Sequence, residues 1–231
     1  MAKILCIESA TQVCSVTLAD NNTIIASKES NIPNAHSELL STFVDEIFKE
    51  SDINLNELDA IAVSMGPGSY TGLRIGVSAA KGLCFSLEKP LISISTLQSM
   101  AAGMSSLTKG DDVLYCPLID ARRMEVYSAL FDAQNKEERG IQAEIIVKNS
   151  FQEFLTKSKV YFAGDGAEKC KEIVGQHSNA VFLDEFKMSS SSMIEIALKK
   201  YNEKDFENVA YFEPYYLKDF IAGKPKVKGL K

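Results

Sequence analysis

The sequence predicts an α/β fold built from two similar lobes. Two observations support this prediction: the same order of strand-like and helix-like segments occurs twice, and the first strand of each half ends in an acid, Glu8 or Asp120. The chain has 231 residues, of which 45% are hydrophobic, so it can bury a sizeable core. A repeated order of elements at this length favours two related lobes with an inter-lobe cleft.

The first half begins with three strand-like segments at residues 3–7, 14–18 and 23–27. Turn-forming residues, Asp20, Asn21 and Asn22, separate the second segment from the third. The hydrophobic periodicity then predicts a helix at 35–49, a strand at 60–64, a helix at 71–87 and a strand at 91–94. The predicted order of this half is therefore βββαβαβ.

The same order begins again after a polar stretch at residues 103–112. Strands are predicted at 114–119, 125–131, 144–147, 160–163 and 180–183, and helices at 151–157, 168–174 and 191–201. We place the lobes at residues 1–103 and 104–231, the second with a basic tail. Duplicated βββαβαβ lobes are typical of the actin-like, sugar-kinase-like fold, and the alternative is a generic three-layer α/β protein whose halves are similar by coincidence.

Residues 64–76 form the most distinctive segment, a strand end followed by a glycine-rich turn and a helix start. Positive φ angles are expected at Gly66 and Gly68, which would leave free amides at a helix N-terminus that Ser69 or Thr71 can cap. The segment lacks the Lys-Ser/Thr end of a P-loop and the third glycine of a dinucleotide fingerprint. It is therefore only a weak indication of a phosphate site.

The helix after this turn carries a ridge of small residues spaced every four positions. They are Gly72, Gly76, Ala80 and Cys84. Another helix can approach such a ridge closely, although packing on the protein's own sheet is the commoner role. Arg74, Ser78 and Lys81 lie on a different strip, where they would be available to a partner's carboxylates or to RNA, or would simply be solvated.

The helix predicted at 35–49 has an unusually broad apolar face. Its members are Leu39, Leu40, Phe43, Val44, Ile47 and Phe48. They span roughly 180°, wider than the stripe that faces a single core. We therefore predict a dimer contact, with a second copy or a paralogue, through this helix and the small-residue ridge; equally, a later element of the same chain can cover the face.

Several motifs together resemble the TsaB family. They are Ile7-Glu8-Ser9-Ala10, the 66–76 turn, Ala79-Ala80-Lys81-Gly82-Leu83, Asp120-Ala121-Arg122 with Glu125-Val126-Tyr127, and Pro214-Tyr215-Tyr216-Leu217. The match extends over nearly the whole chain in the same order. It implies an actin-like fold related to the catalytic subunit TsaD. It also implies a role, with TsaD and the ATPase TsaE, in threonylcarbamoyl transfer to the exocyclic amine of the adenosine beside the tRNA anticodon.

The resemblance also implies which surface of the chain binds a partner subunit. In the family the N-terminal lobe binds TsaD through a helix bundle, and isolated proteins form homodimers through the same surface. TsaD binds its metal through a pair of histidines on one helix, whereas the corresponding residues here, 93–100, include none. The chain's two histidines, His36 and His177, lack a second ligand at helical or turn spacing, and no Ser-His-Asp or Cys-His set can be assembled. We therefore expect an activating subunit with no catalytic residue and no metal site.

The inter-lobe cleft is the remaining candidate site. ATP-binding proteins of this fold hold phosphates in glycine-rich hairpins, but here the second hairpin has Ala121-Arg122-Arg123, whose side chains obstruct close approach. We predict a vestigial nucleotide cleft that requires no cofactor and binds ATP, ADP or Mg²⁺ weakly at most. Its residues are Glu8, Ser9, Asp120, Gly164 and Gly166. The alternative is an actin-like ATPase or small-molecule kinase in which Glu8 or Asp120 acts on phosphate.

Bulk properties limit the remaining possibilities. A net charge of −6 argues against a chain that binds nucleic acid by itself, so tRNA contact is expected mainly through the complex. Five cysteines without a Cys-x-x-Cys pair predict reduced core residues. The short apolar opening predicts neither a signal peptide nor a membrane span, hence a cytoplasmic protein. Residues 218–231 contain five lysines and are expected to form a mobile tail that aids solubility or RNA capture.

Overall fold

The computed structural model describes residues 2–108 and 110–218. The first half contains five strands and three α-helices in the order βββαβαβα. These are β1 (Lys3–Glu8), β2 (Cys14–Asp20), β3 (Thr23–Ser30), α1 (His36–Ser51), β4 (Ala60–Gly66), α2 (Tyr70–Leu87), β5 (Leu91–Ser95) and α3 (Thr96–Ser106). A short 3-10 helix, Leu55–Glu57, precedes β4.

The second half repeats this order. Its elements are β6 (Val113–Asp120), β7 (Glu125–Phe131), β8 (Glu137–Ile145), α4 (Gln152–Leu155), β9 (Lys159–Ala163), α5 (Glu168–Val174), β10 (Ala180–Phe182) and α6 (Ile194–Glu203). A 3-10 helix, Ser190–Met193, leads into α6. The repeat of element types predicted from the sequence is therefore confirmed.

Two predictions for individual elements were wrong. Helix α3 was not predicted, because its glycine and serines were interpreted as part of a loop. Strand β8 begins at Glu137, whereas a strand was predicted only at 144–147. Most residues of β8 are exposed and polar, so it lacks the apolar run that marks a buried strand.

Each half forms one five-stranded mixed sheet with the same internal order. The first sheet is β3-β2-β1-β4-β5 and the second is β8-β7-β6-β9-β10. In each sheet the first strand of the half pairs antiparallel with the second strand and parallel with the fourth. This identical topology confirms the predicted actin-like fold with duplicated lobes.

The alternation of side chains along β1 explains how the first sheet is covered on both faces. Leu5 and Ile7 point to the face that packs against α1 and α2, whereas Ile4 and Cys6 point to the face that packs against α6. A strand buried on both faces is expected to be apolar, and the residues of β1 from Ile4 to Ile7 are apolar.

The last helix of each half crosses to the other sheet. Helix α3 contributes Leu97, Met100 and Met104 to a core with β6 and β7, while α6 contacts β1 and β5. The boundary predicted after residue 103 falls within α3. We keep the division into two lobes as a proposal, with the final helix of each lobe exchanged.

The five cysteines are free and buried, which confirms that they are core residues. Burial raises the pKa of the Cys6 thiol to about 12, so this thiol stays protonated. Within the described part of the chain, no helix combines the length and apolar character that a membrane crossing requires. Apart from Lys218, the lysine-rich tail lies outside the described residues.

Candidate partner interface and inter-lobe cleft

The turn between β4 and α2 packs against the residues that follow β1. Gly66 has a φ of +116°, as predicted. The prediction for Gly68 was wrong: its φ is not in the left-handed region, and glycine is required because a Cβ would lie 2.2 Å from the carbonyl oxygen of Ala10. Ser69 caps α2 by accepting a 3.3 Å hydrogen bond from the Gly72 N–H, and its own N–H donates to Ala10. The Ser69 and Gly72 amides are thus used within the chain.

The small-residue ridge of α2 packs on the segment that follows β1. A Cβ at Gly72 would lie 2.1 Å from the carbonyl oxygen of Ser9, and a Cβ at Gly76 would lie 2.0 Å from its Oγ. That hydroxyl donates a 2.9 Å hydrogen bond to the Gly72 carbonyl. Ala80 and Cys84 are buried in the core of the first lobe. The ridge therefore serves internal packing, which corrects the expectation that another helix approaches it.

The apolar face of α1 is also largely covered by the chain itself. Leu40, Val44, Ile47 and Phe48 are buried among residues of the first sheet and of α2. Leu39 and Phe43 are half-buried and pack against the same cluster. Only these last two side chains remain partly accessible to another protein. The breadth of the face therefore reflects contacts with both the sheet and a neighbouring helix.

The two basic residues predicted to face a partner hold the chain's own C-terminal strap, which we define as residues 207–218. The Arg74 Nε donates to the Tyr216 hydroxyl at 3.2 Å, and its guanidinium lies 4.3 Å from the centre of the Tyr70 ring. The Lys81 ammonium donates to the carbonyl oxygens of Ala210 (3.3 Å) and Phe212 (2.8 Å). Both side chains therefore have partners within the chain, although Arg74 stays exposed, and their contact with a partner protein stays a prediction.

The C-terminal strap runs from one lobe to the other. Near its start, the N–H of Glu207 donates to the Leu91 carbonyl at 2.8 Å. Further along, the Tyr215 N–H donates to the Met65 carbonyl at 2.7 Å. At its end, Lys218 forms an ion pair with Glu125 of the second lobe. The strap thus crosses the turn before α2 and links the two sheets.

Sequence reasoning identified only part of the side of α2 that points to solvent, through the strip that contains Arg74 and Ser78. We call this side the exposed α2 face, and its residues are Thr71, Arg74, Ser78, Gly82 and Phe85. The Phe85 side chain is 82% exposed, and a Cβ at Gly82 would meet nothing within 4 Å. One signal could have found it: Phe85 follows Cys84 by one residue, which turns it roughly 100° away from the buried ridge.

Glu8 lies fully buried at the end of β1. Its Oε1 accepts a 2.6 Å hydrogen bond from the Ala10 N–H, and its Oε2 has no hydrogen-bond partner among the residues that the structure describes. Burial raises the pKa of this carboxyl to about 7, although hydrogen bonds from Ala10, Ser64 and Ser9 act in the opposite direction. Glu8 is therefore a neutral acid over much of the acidic range.

Asp120, the equivalent acid of the second lobe, is in a different environment. It is exposed, its Oδ1 accepts the Arg122 N–H at 2.9 Å, and the same atom is ion-paired with Lys169. Partial burial favours the protonated form, but the hydrogen bonds from Lys169 and Arg122 outweigh it, so the pKa of Asp120 is lowered. The two acids predicted to form one cleft thus differ in both burial and charge.

The glycines predicted for the second part of the cleft are used in packing. A Cβ at Gly164 would lie 2.3 Å from the Leu118 carbonyl oxygen, and one at Gly166 would lie 3.1 Å from the Asp120 nitrogen. The Asp120 N–H in turn donates to the Asp165 carboxylate at 2.9 Å. Protein groups therefore fill the space next to both glycines.

These arrangements do not fit the phosphates of a nucleotide in this conformation. The Ser69 and Gly72 amides, Oε1 of Glu8 and the Asp120 carboxylate have partners within the chain. Among the described residues, no group of three or more His, Cys, Asp or Glu side chains is arranged to hold a metal ion. Weak binding of ATP, ADP or Mg²⁺ stays a prediction.

Comparison with known proteins gives both sequence relatives and a relative of known fold. The family model described as TsaD: tRNA N6-adenosine threonylcarbamoyltransferase matches residues 23–225. The tRNA threonylcarbamoyladenosine biosynthesis protein TsaB of Escherichia coli strain K12 is 32% identical over 234 residues, which cover 96% of this chain and 97% of that protein. A tRNA N6-adenosine threonylcarbamoyltransferase of Staphylococcus aureus is 33% identical over 132 residues, which cover 50% of this chain and 38% of that protein.

The solved structure of YeaZ from Pseudomonas aeruginosa shares the fold. It superposes with a TM-score of 0.79 at 23% identity, covering 94% of this chain and all of that one. The sequence similarity to the E. coli protein extends along almost the whole length of both chains, and the family model matches most of this one. The chain therefore belongs to the TsaB family, which is related to the TsaD transferases.

Proposed function

We propose that the chain is an activating subunit, without chemistry of its own, for the formation of threonylcarbamoyladenosine in tRNA. In this proposal it pairs with a TsaD-type transferase and works with a TsaE-type ATPase in the cytoplasm. The observation that carries the proposal is the similarity, along nearly the whole chain, to proteins named for tRNA threonylcarbamoyladenosine biosynthesis.

The composition of α3 supports a partner rather than a transferase. The resemblance places the metal-binding histidines of TsaD near the start of this helix, which here reads TLQSMAAGMSS. Its first turns supply Thr96, Leu97 and Met100 as buried residues. Leu97 and Met100 pack in the core with the second sheet, where a pair of metal ligands would need open coordination space.

The exposed α2 face is the surface that we assign to the partner. Its central positions, Ser78 and Gly82, have little or no side chain, and Phe85 beside them is largely exposed. A partner helix can come close to small residues, and aromatic anchors carry much of the binding free energy in protein interfaces. Leu39 and Phe43 would extend this contact on α1.

The partner is expected to present a similar surface. Similarity to both TsaB and TsaD proteins makes the TsaD-type subunit a paralogue of this chain, so its equivalent helices can pack against α2 as those of a second copy would. We therefore expect the isolated chain to form a homodimer through the same face. Recognition of tRNA would come mainly through the complex, since this chain carries a net charge of −6.

Reconstitution tests the proposal. The TsaD-type and TsaE-type proteins are mixed with unmodified tRNA and threonylcarbamoyl-adenylate, with and without this chain, and the modified adenosine is quantified. The expected result is a rate that rises about tenfold or more when the chain is added, equivalent to about 1.4 kcal/mol. Equal product in both reactions would overturn the proposal.

A further inference from the structure

The hairpin between β6 and β7 carries two adjacent arginines at its tip. The turn is closed by hydrogen bonds of 3.1 Å from Ala121 N–H to the Glu125 carbonyl and from Glu125 N–H to the Arg122 carbonyl. Arg122 and Arg123 both adopt left-handed conformations, with φ angles of +72° and +51°. Asparagine and glycine are the residues that usually occupy such positions. Both arginines are exposed, so two guanidinium-bearing side chains are accessible at the tip of this turn.

The carboxylates near this tip are already matched by lysines. Asp120 forms an ion pair with Lys169, and Glu125 forms one with Lys218 of the strap. Asp120 also accepts the backbone N–H of Arg122, not its guanidinium. Among the described residues, neither Arg122 nor Arg123 forms a salt bridge through its side chain. Within residues 2–108 and 110–218, the tip therefore presents two arginine side chains outside any ion pair, although Arg122 lies close enough to Asp120 to interact with it electrostatically.

The chemistry of the tip points to a phosphate ligand. A guanidinium presents several N–H donors in a planar fork that matches phosphate oxygens, and its charge is constant at physiological pH. The arginines project from a turn, whereas mononucleotides and other small ligands are usually held in concave sites. An extended polyanion, such as a nucleic-acid backbone, can contact an exposed tip of this kind.

We propose that Arg122 and Arg123 contact the phosphate backbone of the tRNA on which the assembled complex acts. This inference rests on the proposed function, which brings the tRNA to the complex. The contact is local, so the chain's overall negative charge does not oppose it: at physiological ionic strength, charges more than about 8 Å away are largely screened. The arginines add to binding that the partner subunits supply, and they carry no sequence information themselves.

The test compares tRNA binding by complexes that differ only at this tip. The variant is Arg122→Asn with Arg123→Asn, because asparagine accepts left-handed φ angles and removes both charges. The matched control is Lys157→Ala with Lys159→Ala, which removes the same charge from exposed residues at the start of β9, the opposite end of the sheet. Affinity of each complex for unmodified tRNA is measured by filter binding over a range of salt concentrations.

The arginine variant is expected to bind tRNA about tenfold more weakly, with the slope of log affinity against log salt reduced by about one unit for each phosphate that the variant no longer touches. The control should bind as the wild type does. Equal weakening in both variants, or unchanged binding by the arginine variant, would overturn the inference. Weaker ATP binding with unchanged tRNA binding would also overturn it, in favour of a mononucleotide site.

Assembly with the TsaD-type subunit is measured separately, by analytical ultracentrifugation. If the wild-type chain fails to assemble, or the wild-type complex fails to bind tRNA, the proposed function fails and this inference fails with it. If the wild-type complex assembles and binds tRNA but the arginine variant behaves identically, only the inference about the hairpin fails.

Discussion

Gly72 of helix α2 lies directly against Ser9, whose carbonyl oxygen would be 2.1 Å from a Cβ at the glycine. The Ser9 hydroxyl also donates a hydrogen bond to the Gly72 carbonyl. The segment after β1 is therefore joined to the first turn of α2 by both packing and a hydrogen bond. The small residues of α2 are thus explained by a neighbour within the chain. In our proposal the partner binds the opposite, exposed face of the same helix.

Replacement of Gly72 by alanine should destabilise the protein. The added methyl group would collide with backbone, which cannot rotate away, and overpacking of this kind costs about 1–3 kcal/mol. The matched control is Gly82→Ala on the same helix, where the added Cβ meets nothing within 4 Å. Because alanine favours helix over glycine, that control should gain up to about 1 kcal/mol. Urea unfolding of both variants in dilute solution measures the difference, and equal stability would contradict this packing.

The buried carboxyl of Glu8 should make stability depend on pH. Its pKa is about 7 in the folded protein against an ordinary value of 4.5, so the folded state binds an extra proton between these pH values. The free energy of unfolding should therefore fall as pH rises through this window, by up to about 3 kcal/mol, and level off above it. Below about pH 4.5 the Glu8 carboxyl is protonated in both the folded and the unfolded state, so this contribution to the free energy of unfolding is then fully present.

Glu8→Gln isolates this effect, because glutamine keeps the shape and the hydrogen bond from Ala10 while remaining neutral. The difference in unfolding free energy between wild type and variant should grow from pH 5 to pH 7 and then stay constant, roughly following the titration of one group. Parallel pH profiles for the two proteins would show that Glu8 does not titrate in this way.

Removal of the Arg74 side chain should loosen the C-terminal strap. Arg74 holds Tyr216 and stacks on Tyr70, so Arg74→Ala should increase hydrogen exchange at the Tyr215 amide, which donates to the Met65 carbonyl. Ser78→Ala, also on the exposed α2 face, serves as the control and should leave this amide protected. Mass-spectrometric exchange on a peptide covering residues 207–218 reads both variants. Unchanged exchange in Arg74→Ala would mean that the strap is held by its other contacts.

The isolated chain should not turn over ATP above background. Asp120 is held by Lys169 and by the Arg122 amide, and Glu8 is buried, so neither acid is positioned for phosphate chemistry. Phosphate release should therefore be the same for wild type and Asp120→Ala. A rate well above background that disappears in this variant would support the kinase alternative and contradict a subunit without chemistry.

Much of the fold was predictable because β1 and β4 are buried on both faces, and such strands are short apolar runs that are visible in any sequence. Glu8 and Asp120 were correctly placed at equivalent strand ends, because each acid follows such an apolar run. The exposed strand β8 could not be recognised, because its alternating polar residues do not mark a core.

The contacts of the candidate site were harder to predict, because they join residues far apart in sequence. Arg74 and Tyr216 are 142 positions apart, and Ser9 and Gly72 are 63 apart. The periodicity of α2 shows a ridge of small residues but does not reveal which segment lies against it. The difference in burial between Glu8 and Asp120 was not predictable either, because the burial of a side chain depends on the tertiary packing around it.

The exposed α2 face is the central claim, and Phe85→Glu tests it most directly. Phe85 is 82% exposed, so the substitution should leave the monomer folded; Ile145→Glu, at a position 66% exposed on the second lobe, is the control. The measurement is the rate of threonylcarbamoyladenosine formation in the reconstituted complex as either variant is titrated in. We predict that Phe85→Glu needs roughly 30-fold more protein for half-maximal activation, as expected when an aromatic anchor is removed, while Ile145→Glu titrates as wild type does. Identical titration curves for Phe85→Glu and wild type would contradict the account.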